Sequence, residues 1–139
     1  MLAASLRRKL VQSVHRAAPI GAPSFLWFSS APPADDVLNT GSEEEIRRLI
    51  GANDVVIFSK TYCPFCHRVK DLFERTLELE AKVYELDELP AGGAAQSSLA
   101  KISGQSSVPN VFIGGEHVGG CDDTFALFEN GTLLQNLER

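Results

Sequence analysis

Residues 55–66 read VVIFSKTYCPFC, and this segment sets the architecture of the chain. Its first four residues, Val55 to Phe58, are β-branched or aromatic, which predicts a short buried strand. Beyond Cys66 the apolar residues recur at helical spacing, as Val69, Leu72, Phe73 and Leu77. The segment therefore predicts a strand that leads directly into a helix, with the two cysteines of a C-x-x-C motif at the junction.

Cys63 lies where the predicted helix begins, and this position favours the thiolate form of a cysteine. The first amides of a helix lack partners within it and carry a partial positive charge. Pro64 suits the first helical turn because its missing N–H is not needed there, and Lys60 supplies a second cation. Such settings lower the pKa of a thiol from about 8.5 into the range of roughly 3.5 to 7.5. We therefore expect Cys63 to be the nucleophile and Cys66 to attack a mixed disulfide formed on it.

A capping box marks the start of the first helix. Ser42 can cover an amide at the helix start, and Glu45 can reach back toward the preceding backbone. Three apolar residues then follow at helical spacing, Ile46, Leu49 and Ile50. We expect the folded part of the chain to begin with this helix, which should end near Gly51.

The segments after residue 77 predict further strands and helices. Residues 83–86 are a strand candidate, residues 90–93 a turn or loop, and residues 99–104 a short helix closed by a glycine. Residues 111–118 predict a hairpin with paired glycines at its turn, and residues 123–137 a last, interrupted helical region. This order predicts an α/β fold with one mixed sheet covered on both faces.

The first 34 residues differ in charge from the rest of the chain. They hold four of the 13 Lys and Arg residues and none of the 18 Asp and Glu residues, which leaves nine cations against 18 anions in residues 35–139. Leu2, Leu6, Leu10 and Val14 lie four apart among these cations, which is typical of an amphipathic organelle presequence. We expect residues 1–34 to be a transit peptide with its linker and residues 35–139 to be one folded domain. A basic tail that stays attached is the alternative.

Two organelles fit this presequence. Phe28-Ser29-Ser30 resembles a mitochondrial processing site, although the nearby Arg of many plant examples is absent. We expect the mitochondrial matrix to be the destination, and the chloroplast stroma stays open as the alternative.

The composition of the body argues against several classes of function. It carries no basic stripe of the kind that binds nucleic acid phosphates. No stretch approaches the roughly 20 apolar residues that span a bilayer. Three cysteines are too few, and odd in number, for a disulfide scaffold. We therefore expect neither nucleic acid nor a membrane as a partner, and we expect the motif thiols to serve chemistry; the isolated Cys121 is most simply a small buried apolar residue.

Two metal-linked interpretations compete for the same cysteines. With His67, the motif also matches C-x-x-C-H, the pattern of covalent haem attachment. The only methionine is Met1, so the common axial ligand is absent, and His67 is most simply a solvated helix residue. A zinc site would use Cys63, Cys66, His117 and Cys121. It would lack the second close ligand pair of a zinc ribbon. We therefore expect no bound metal and no bound cofactor.

Three sequence blocks together resemble the dithiol glutaredoxins, in a form similar to those of plants and algae. They are SKTYCPFC at residues 59–66, SVP at residues 107–109 and GGCDD at residues 119–123, and they occur in order and at family spacing. The resemblance covers about residues 42–138. Thioredoxin is less similar, because its motif has Trp before the first cysteine, whereas the only tryptophan here is Trp27.

The resemblance implies a thioredoxin fold, in which a central four-stranded mixed sheet is flanked by helices. It also implies that Pro109 follows a cis peptide bond and lies opposite Cys63. Val108 would then pair its backbone with the peptide backbone of glutathione. A cis X-Pro bond bends the chain and leaves neighbouring backbone groups available for such pairing.

The resemblance also implies side chains that bind glutathione. Lys60 and Gln96 would bind its glycine carboxylate. Phe65, in place of the usual Tyr, would pack beside its thioether path; the exchange removes only a hydroxyl. Cys121 and Asp122 would hold its γ-glutamyl end through backbone and side-chain contacts.

The activity implied is that of a glutathione-disulfide oxidoreductase. The Cys63 thiolate would attack the glutathione sulfur of a protein-glutathione mixed disulfide, and a second glutathione would regenerate Cys63. Some protein disulfides would also be reduced. Glutathione would be the reductant, itself regenerated by NADPH and glutathione reductase. The partners would be glutathione and proteins that carry glutathione or a disulfide, and we expect a monomer.

Two features bear on variations within the family. Many members have Arg-Thr where this chain has Ser106-Ser107, so one cation that could face glutathione is missing and we expect weaker affinity. Some glutaredoxins instead dimerise around a glutathione-ligated [2Fe-2S] cluster. Those relatives typically have Gly or Ser at the position of Pro64, and proline stiffens the loop and removes an amide.

Overall fold

The computed structural model describes residues 36–138, and the predicted presequence lies outside these residues. The chain from residue 38 onward forms one compact unit. Its elements in chain order are α1 (Glu43–Ala52), β1 (Val55–Ser59), α2 (Pro64–Asp71), a π-helical continuation (Leu72–Thr76), β2 (Lys82–Glu85), α3 (Gly92–Ser103), β3 (Asn110–Ile113), β4 (Glu116–Gly119), α4 (Cys121–Glu129) and a 3₁₀ helix (Gln135–Glu138). None of the described helices has the length and apolar character needed to cross a membrane.

The four strands form one mixed sheet in the order β2-β1-β3-β4. β1 pairs with β2 in parallel, whereas β1 with β3 and β3 with β4 are antiparallel. All five residues of β1 are buried, because helices cover both faces of the sheet. Val56 and Phe58 pack with the apolar faces of α1 and α3, and Ile57 lies on the other face beside Phe73. The predicted thioredoxin-fold architecture is confirmed.

The crossover from β1 through α2 to β2 positions the cysteine motif. In a strand-helix-strand unit, the loop after the first strand lies at the carboxyl ends of the parallel strands, where ligands commonly bind. β1 ends at Ser59 and α2 begins at Pro64, so the residues between them form this loop. The fold therefore presents Cys63 at the junction of β1 and α2, as the sequence predicted.

The start of α1 differs in detail from the predicted capping box. Ser42 Oγ accepts a hydrogen bond from the Glu45 amide at 3.2 Å, as predicted. The Glu45 carboxylate reaches further back than expected and accepts the amides of Asn39, Thr40 and Gly41 at 2.9, 2.8 and 2.7 Å. Burial alone would raise the pKa of Glu45, but these hydrogen bonds outweigh it and lower the pKa to about 2. One buried carboxylate therefore anchors the chain that leads into the domain.

The turn predicted at residues 90–93 is wrong in its second half, because Gly92 and Gly93 form the first turn of α3. A Cβ atom on Gly92 would lie 1.8 Å from the Leu86 carbonyl oxygen. Glycine is therefore required where α3 packs against the end of β2, which is a tertiary requirement that local pattern does not reveal.

The third helix is longer than the short helix predicted around residues 99–104, because it begins at Gly92, whereas the other predicted ends are close to those observed. Gly104 ends α3 with a φ of +76°, and Gly114 and Gly115 form the hairpin turn with φ values of +60° and +84°. The last helix begins at Cys121, two residues before the predicted start, and ends at Glu129. These differences bring Cys121 into the first turn of α4.

Candidate active site

Cys63 is the N-cap residue of α2, and the residue is partly exposed. The backbone amide of Cys66 donates a hydrogen bond to the Cys63 sulfur at 3.4 Å. Pro64 occupies the first turn, where its missing N–H removes no helical hydrogen bond. The sulfur of Cys63 therefore faces the unpaired amides of a helix start, which favour an anion at this point.

Cys66 differs sharply from Cys63 in its surroundings. Its side chain is fully buried within α2. Burial, reinforced by the hydrogen bond with Cys63, raises the pKa of the Cys66 thiol to about 11. The two motif cysteines therefore divide into one accessible sulfur and one protonated thiol held behind it.

The chain opposite Cys63 is the segment that leads into β3. The Cys63 sulfur lies 3.9 Å from the Val108 carbonyl oxygen, and the Val108–Pro109 peptide bond is cis, as the resemblance implied. Gln105 fixes this segment, because its Nε2 donates to the carbonyls of Ser107 at 3.0 Å and Pro109 at 2.8 Å. Sequence reasoning did not single out Gln105, and no local pattern marks it.

A cleft of 390 Å³ opens beside the motif between α2, the segment before β3 and the start of α4. It is lined by Phe65, Gln105, Ser107, Val108, Pro109, Gly120, Cys121, Asp122 and Asp123. Five of these residues were predicted to contact glutathione. Ser107, Gly120 and Asp123 belong to the sequence blocks that resemble the glutaredoxins, but no contact with glutathione was predicted for them.

The start of α4 forms one wall of this cleft. Cys121 is the first residue of the helix and is buried, which raises the pKa of its thiol, although nearby Arg68 opposes this. Asp122 follows and is exposed. The Asp123 carboxylate accepts the Gly120 amide at 3.2 Å and so caps the helix. This wall therefore offers a negative side chain beside backbone amides.

Lys60 and Gln96 were predicted to lie in the same site but do not line the cleft. Gln96 Nε2 donates to the Ser106 carbonyl at 2.7 Å, so Gln96 supports the segment that carries Val108. Lys60 is half-buried, and its carbonyl oxygen accepts the Cys63 amide at 3.1 Å. Both residues border the loops that form the site.

His67 has a specific partner and is therefore more than the solvated helix residue that the sequence suggested. Its Nε2 lies 2.8 Å from the Thr61 carbonyl oxygen, so this nitrogen carries the proton and donates. His117 lies against the Phe112 ring at 5.2 Å. Across residues 36–138, no three His, Cys, Asp or Glu side chains come together in a way that could hold a metal ion.

Comparisons with known proteins agree with the geometry. A family model described as Glutaredoxin matches residues 55–118. Glutaredoxin-C2 of Arabidopsis thaliana is 47% identical over 91 residues, which cover 66% of this chain and 81% of that protein. Monothiol glutaredoxin-S12, chloroplastic, of the same plant is 48% identical over 123 residues, which cover 80% of this chain and 68% of that protein. The crystal structure of the buckwheat glutaredoxin-glutathione complex matches with a TM-score of 0.66 at 43% identity, covering 69% of this chain and 86% of that one. This chain therefore belongs to the glutaredoxin family of thiol oxidoreductases, in its plant-like dithiol form.

Proposed function

We propose that this protein reduces protein-glutathione mixed disulfides, and some protein disulfides, through the Cys63 thiolate. The observation that carries the proposal is the position of the Cys63 sulfur. Cys63 is a partly exposed residue at the start of α2, its sulfur receives the Cys66 amide at 3.4 Å, and the 390 Å³ cleft opens beside the motif. A thiolate held by helix amides is both available to attack and a good leaving group.

The proposed reaction needs only one cysteine for a mixed disulfide with glutathione. The Cys63 thiolate attacks the glutathione sulfur, the sulfur–sulfur bond to the protein breaks, and the protein leaves as a thiolate that takes up a proton. A second glutathione, as its thiolate, then attacks the glutathione sulfur bound to Cys63. This step releases oxidised glutathione and restores the Cys63 thiolate.

Protein disulfides would follow a two-cysteine route. Attack by Cys63 on a protein disulfide leaves the substrate bound to Cys63 through a mixed disulfide. Cys66 then attacks the Cys63 sulfur and releases the second substrate thiolate, which can accept the proton that Cys66 must lose. Two glutathione molecules reduce the resulting Cys63–Cys66 disulfide, and NADPH with glutathione reductase recycles the oxidised glutathione.

The cleft supports an orientation for glutathione. The Val108 backbone, opposite the Cys63 sulfur, would pair with the peptide backbone of the ligand. At the start of α4, Asp122 is suited to the α-ammonium group and the amides of the first helical turn to the α-carboxylate of the γ-glutamyl end. Phe65 offers an apolar ring beside the sulfur path.

The other end of glutathione would extend toward a cation. Lys60 is the proposed partner of the glycine carboxylate. Gln96 would assist, either by sharing its amide with Ser106 or by holding the adjoining segment in place. Both motif cysteines are present in this chain, so the proposed site is a dithiol site and not a monothiol one.

We propose that the protein works as a monomer without an iron-sulfur cluster. Pro64 in the first turn of α2 supports this, because it removes an amide at the point where a cluster sulfide would approach. Anaerobically purified protein should be colourless and monomeric by size-exclusion chromatography. A brown dimer with equal amounts of iron and sulfide would contradict this part of the proposal.

The cationic segment at residues 1–34 is proposed to be an organelle transit peptide. Its sequence favours the mitochondrial matrix, whereas two relatives are chloroplastic by their names, which supports the chloroplast stroma as the alternative. Residues 1–40 fused to a fluorescent reporter should direct it to one of these organelles. A diffuse cytosolic signal would contradict both destinations.

The central experiment measures NADPH consumption coupled through glutathione reductase, with the mixed disulfide of glutathione and 2-mercaptoethanol as substrate. The wild-type protein should turn this substrate over, and Cys63→Ser should not. A Cys66→Ser variant serves as the matched control, because it removes the neighbouring thiol of the motif without removing the nucleophile. Lack of turnover by folded wild-type protein would exclude the proposed function.

A further inference from the structure

Thr61, two residues before Cys63, is held from two sides. Its amide donates to Asp87 Oδ1 at 3.0 Å, and its hydroxyl donates to Asp87 Oδ2. Its carbonyl oxygen accepts a hydrogen bond from His67 Nε2 at 2.8 Å. The amide, hydroxyl and carbonyl of this one loop residue are therefore all occupied by two side chains from elsewhere in the fold.

Asp87 reaches Thr61 because the pairing between β1 and β2 continues beyond β2. The Leu86 amide donates to the Ser59 carbonyl at 2.8 Å, which brings the residue after Leu86 alongside the loop that follows β1. Thr61 and Asp87 are 26 residues apart in sequence. The loop that carries the nucleophile is thus tied to the turn after β2, which contributes no residue to the cleft.

His67 ties the same loop to α2. The His67 amide donates to the Cys63 carbonyl at 3.2 Å, as the first helical hydrogen bond, while its ring holds the Thr61 carbonyl. His67 therefore forms hydrogen bonds with both Cys63 and Thr61, the residues on either side of position 62. The loop at residues 60–63 is closed against the helix whose amides face the Cys63 sulfur.

We infer that Asp87 and His67 are positioning residues for Cys63, acting through Thr61. The inference rests on the proposed role of Cys63 as nucleophile. The hydrogen bond from the Cys66 amide to the Cys63 sulfur, at 3.4 Å, depends on where the loop holds Cys63, so movement of the loop weakens it. Holding Thr61 keeps the sulfur at the helix start, where the thiolate is stabilised.

The state of Asp87 agrees with this role. The hydrogen bonds from the Thr61 side chain and amide lower the pKa of the Asp87 carboxyl, although the residue is exposed. Its negative charge, taken alone, would disfavour a thiolate nearby. Asp87 can therefore aid Cys63 through its hydrogen bonds but not through its charge. Loss of the hydrogen bonds should make Cys63 less reactive, whereas loss of the charge alone should make it more reactive.

The test measures the rate at which iodoacetamide alkylates Cys63 at pH 7 in wild type and in each variant. Mass spectrometry of the Cys63 peptide follows the reaction. Asp87→Ala and His67→Leu should slow this reaction about tenfold, which is less than the hundredfold cost of a misplacement of about 1 Å. Asp87→Asn and His67→Gln keep a hydrogen-bonding group of similar reach, and both should react at nearly the wild-type rate. Circular dichroism establishes that each variant is folded at the assay temperature.

The inference is overturned if folded Asp87→Ala reacts as fast as wild type or faster, since faster reaction is the expected result of removing the charge alone. It is also overturned if the Asn and Gln variants are as slow as Ala and Leu. If Asp87→Ala does not fold, Thr61→Val against Thr61→Ser asks the same question, and equal rates for these two variants contradict the inference. Alkylation requires no glutathione, so failure of the glutathione assay leaves this comparison intact.

Discussion

The Cys66 amide donates a hydrogen bond to the Cys63 sulfur at 3.4 Å, while the Cys66 thiol is fully buried. The amide of Cys66 therefore serves the nucleophile directly, and its buried thiol also forms a hydrogen bond with the Cys63 side chain. A substitution at position 66 can remove the thiol and keep the amide. Such a variant tests the second thiol while the amide hydrogen bond to the Cys63 sulfur stays in place.

The first prediction follows from this separation. Cys66→Ser should retain most of its activity on glutathione mixed disulfides, because external glutathione can resolve the adduct on Cys63. Cys63→Ser should have none. Both variants should lose reduction of protein disulfides, because release of a bound protein needs Cys66. Coupled NADPH assays with the two substrate types measure this, and a Cys66→Ser variant that is inactive on both would point to a strictly dithiol reductase.

The second prediction concerns which thiol reacts. Burial raises the pKa of the Cys66 thiol to about 11 and also raises that of Cys121. After Cys66→Ser is treated with oxidised glutathione, mass spectrometry should find one added glutathione, located on Cys63. Glutathione on Cys121 would show that this thiol is more accessible than its burial indicates. Cys63→Ser with the same treatment is the control and should remain unmodified.

The third prediction tests the negative wall of the cleft. Asp122→Asn should raise KM for the glutathione mixed disulfide about two- to fivefold, which is the cost of losing one exposed ion pair, with little change in kcat. Glu129→Gln removes one negative charge from the far end of the same helix and serves as the matched control. Equal KM values for the two variants would argue against Asp122 as a partner of the γ-glutamyl ammonium group.

The fourth prediction concerns pH and stability. The pKa of Glu45 is about 2 in the folded protein, below its ordinary value of 4.5. Its contribution is therefore fully present above about pH 4.5 and is lost as the pH falls toward 2. Glu45→Gln should lower the free energy of unfolding by about 2 kcal/mol at pH 7, and the difference should shrink below about pH 4.5.

Urea denaturation of wild type and Glu45→Gln across this pH range measures the effect. Glu44→Gln is the control, because Glu44 is an exposed carboxylate in the same first helical turn. It should change stability only slightly and show no such pH dependence. A Glu45→Gln deficit that is the same at pH 3.5 as at pH 7 would mean that the carboxylate hydrogen bonds do not stabilise the fold.

The fifth prediction compares neighbouring glycines at the start of α3. A Cβ at Gly92 would lie 1.8 Å from the Leu86 carbonyl oxygen, whereas a Cβ at Gly93 would meet nothing within 4 Å. Gly92→Ala should lower the free energy of unfolding by about 1–3 kcal/mol. Gly93→Ala should raise it by up to about 1 kcal/mol, since alanine favours the helix. Denaturation midpoints measure both, and equal effects would contradict the close approach at Gly92.

The features that the sequence predicted well are those that local rules determine. The cap position of Cys63 follows from the strand before it, Pro64 after it and the helical spacing beyond. The hairpin turn follows from Gly114 and Gly115. Gly92 was wrongly placed in a turn, because only the distant Leu86 backbone explains why glycine stands there.

The features that the sequence did not predict depend on distant contacts. Asp87 meets Thr61 across 26 residues, and nothing near Asp87 in sequence marks it as a partner of the active-site loop. Gln105 supports the segment around Pro109 through its side-chain amide, and nothing in the neighbouring sequence distinguishes this glutamine from any other. His67 is an exposed helix residue, as predicted, but its hydrogen bond to the Thr61 carbonyl could not be inferred from the sequence. Single-sequence reasoning finds the reactive sulfur but not the supports around it.

The sheet has a further consequence at its two margins. β2 and β4 are the edge strands, each only four residues long, and they carry Lys82, Glu85 and Glu116. Short, charged edge strands oppose the addition of a foreign strand, which is a common route to aggregation. The two edges of the described sheet are therefore poor templates for a foreign β-strand, whereas the cleft beside Cys63 stays open to an extended substrate.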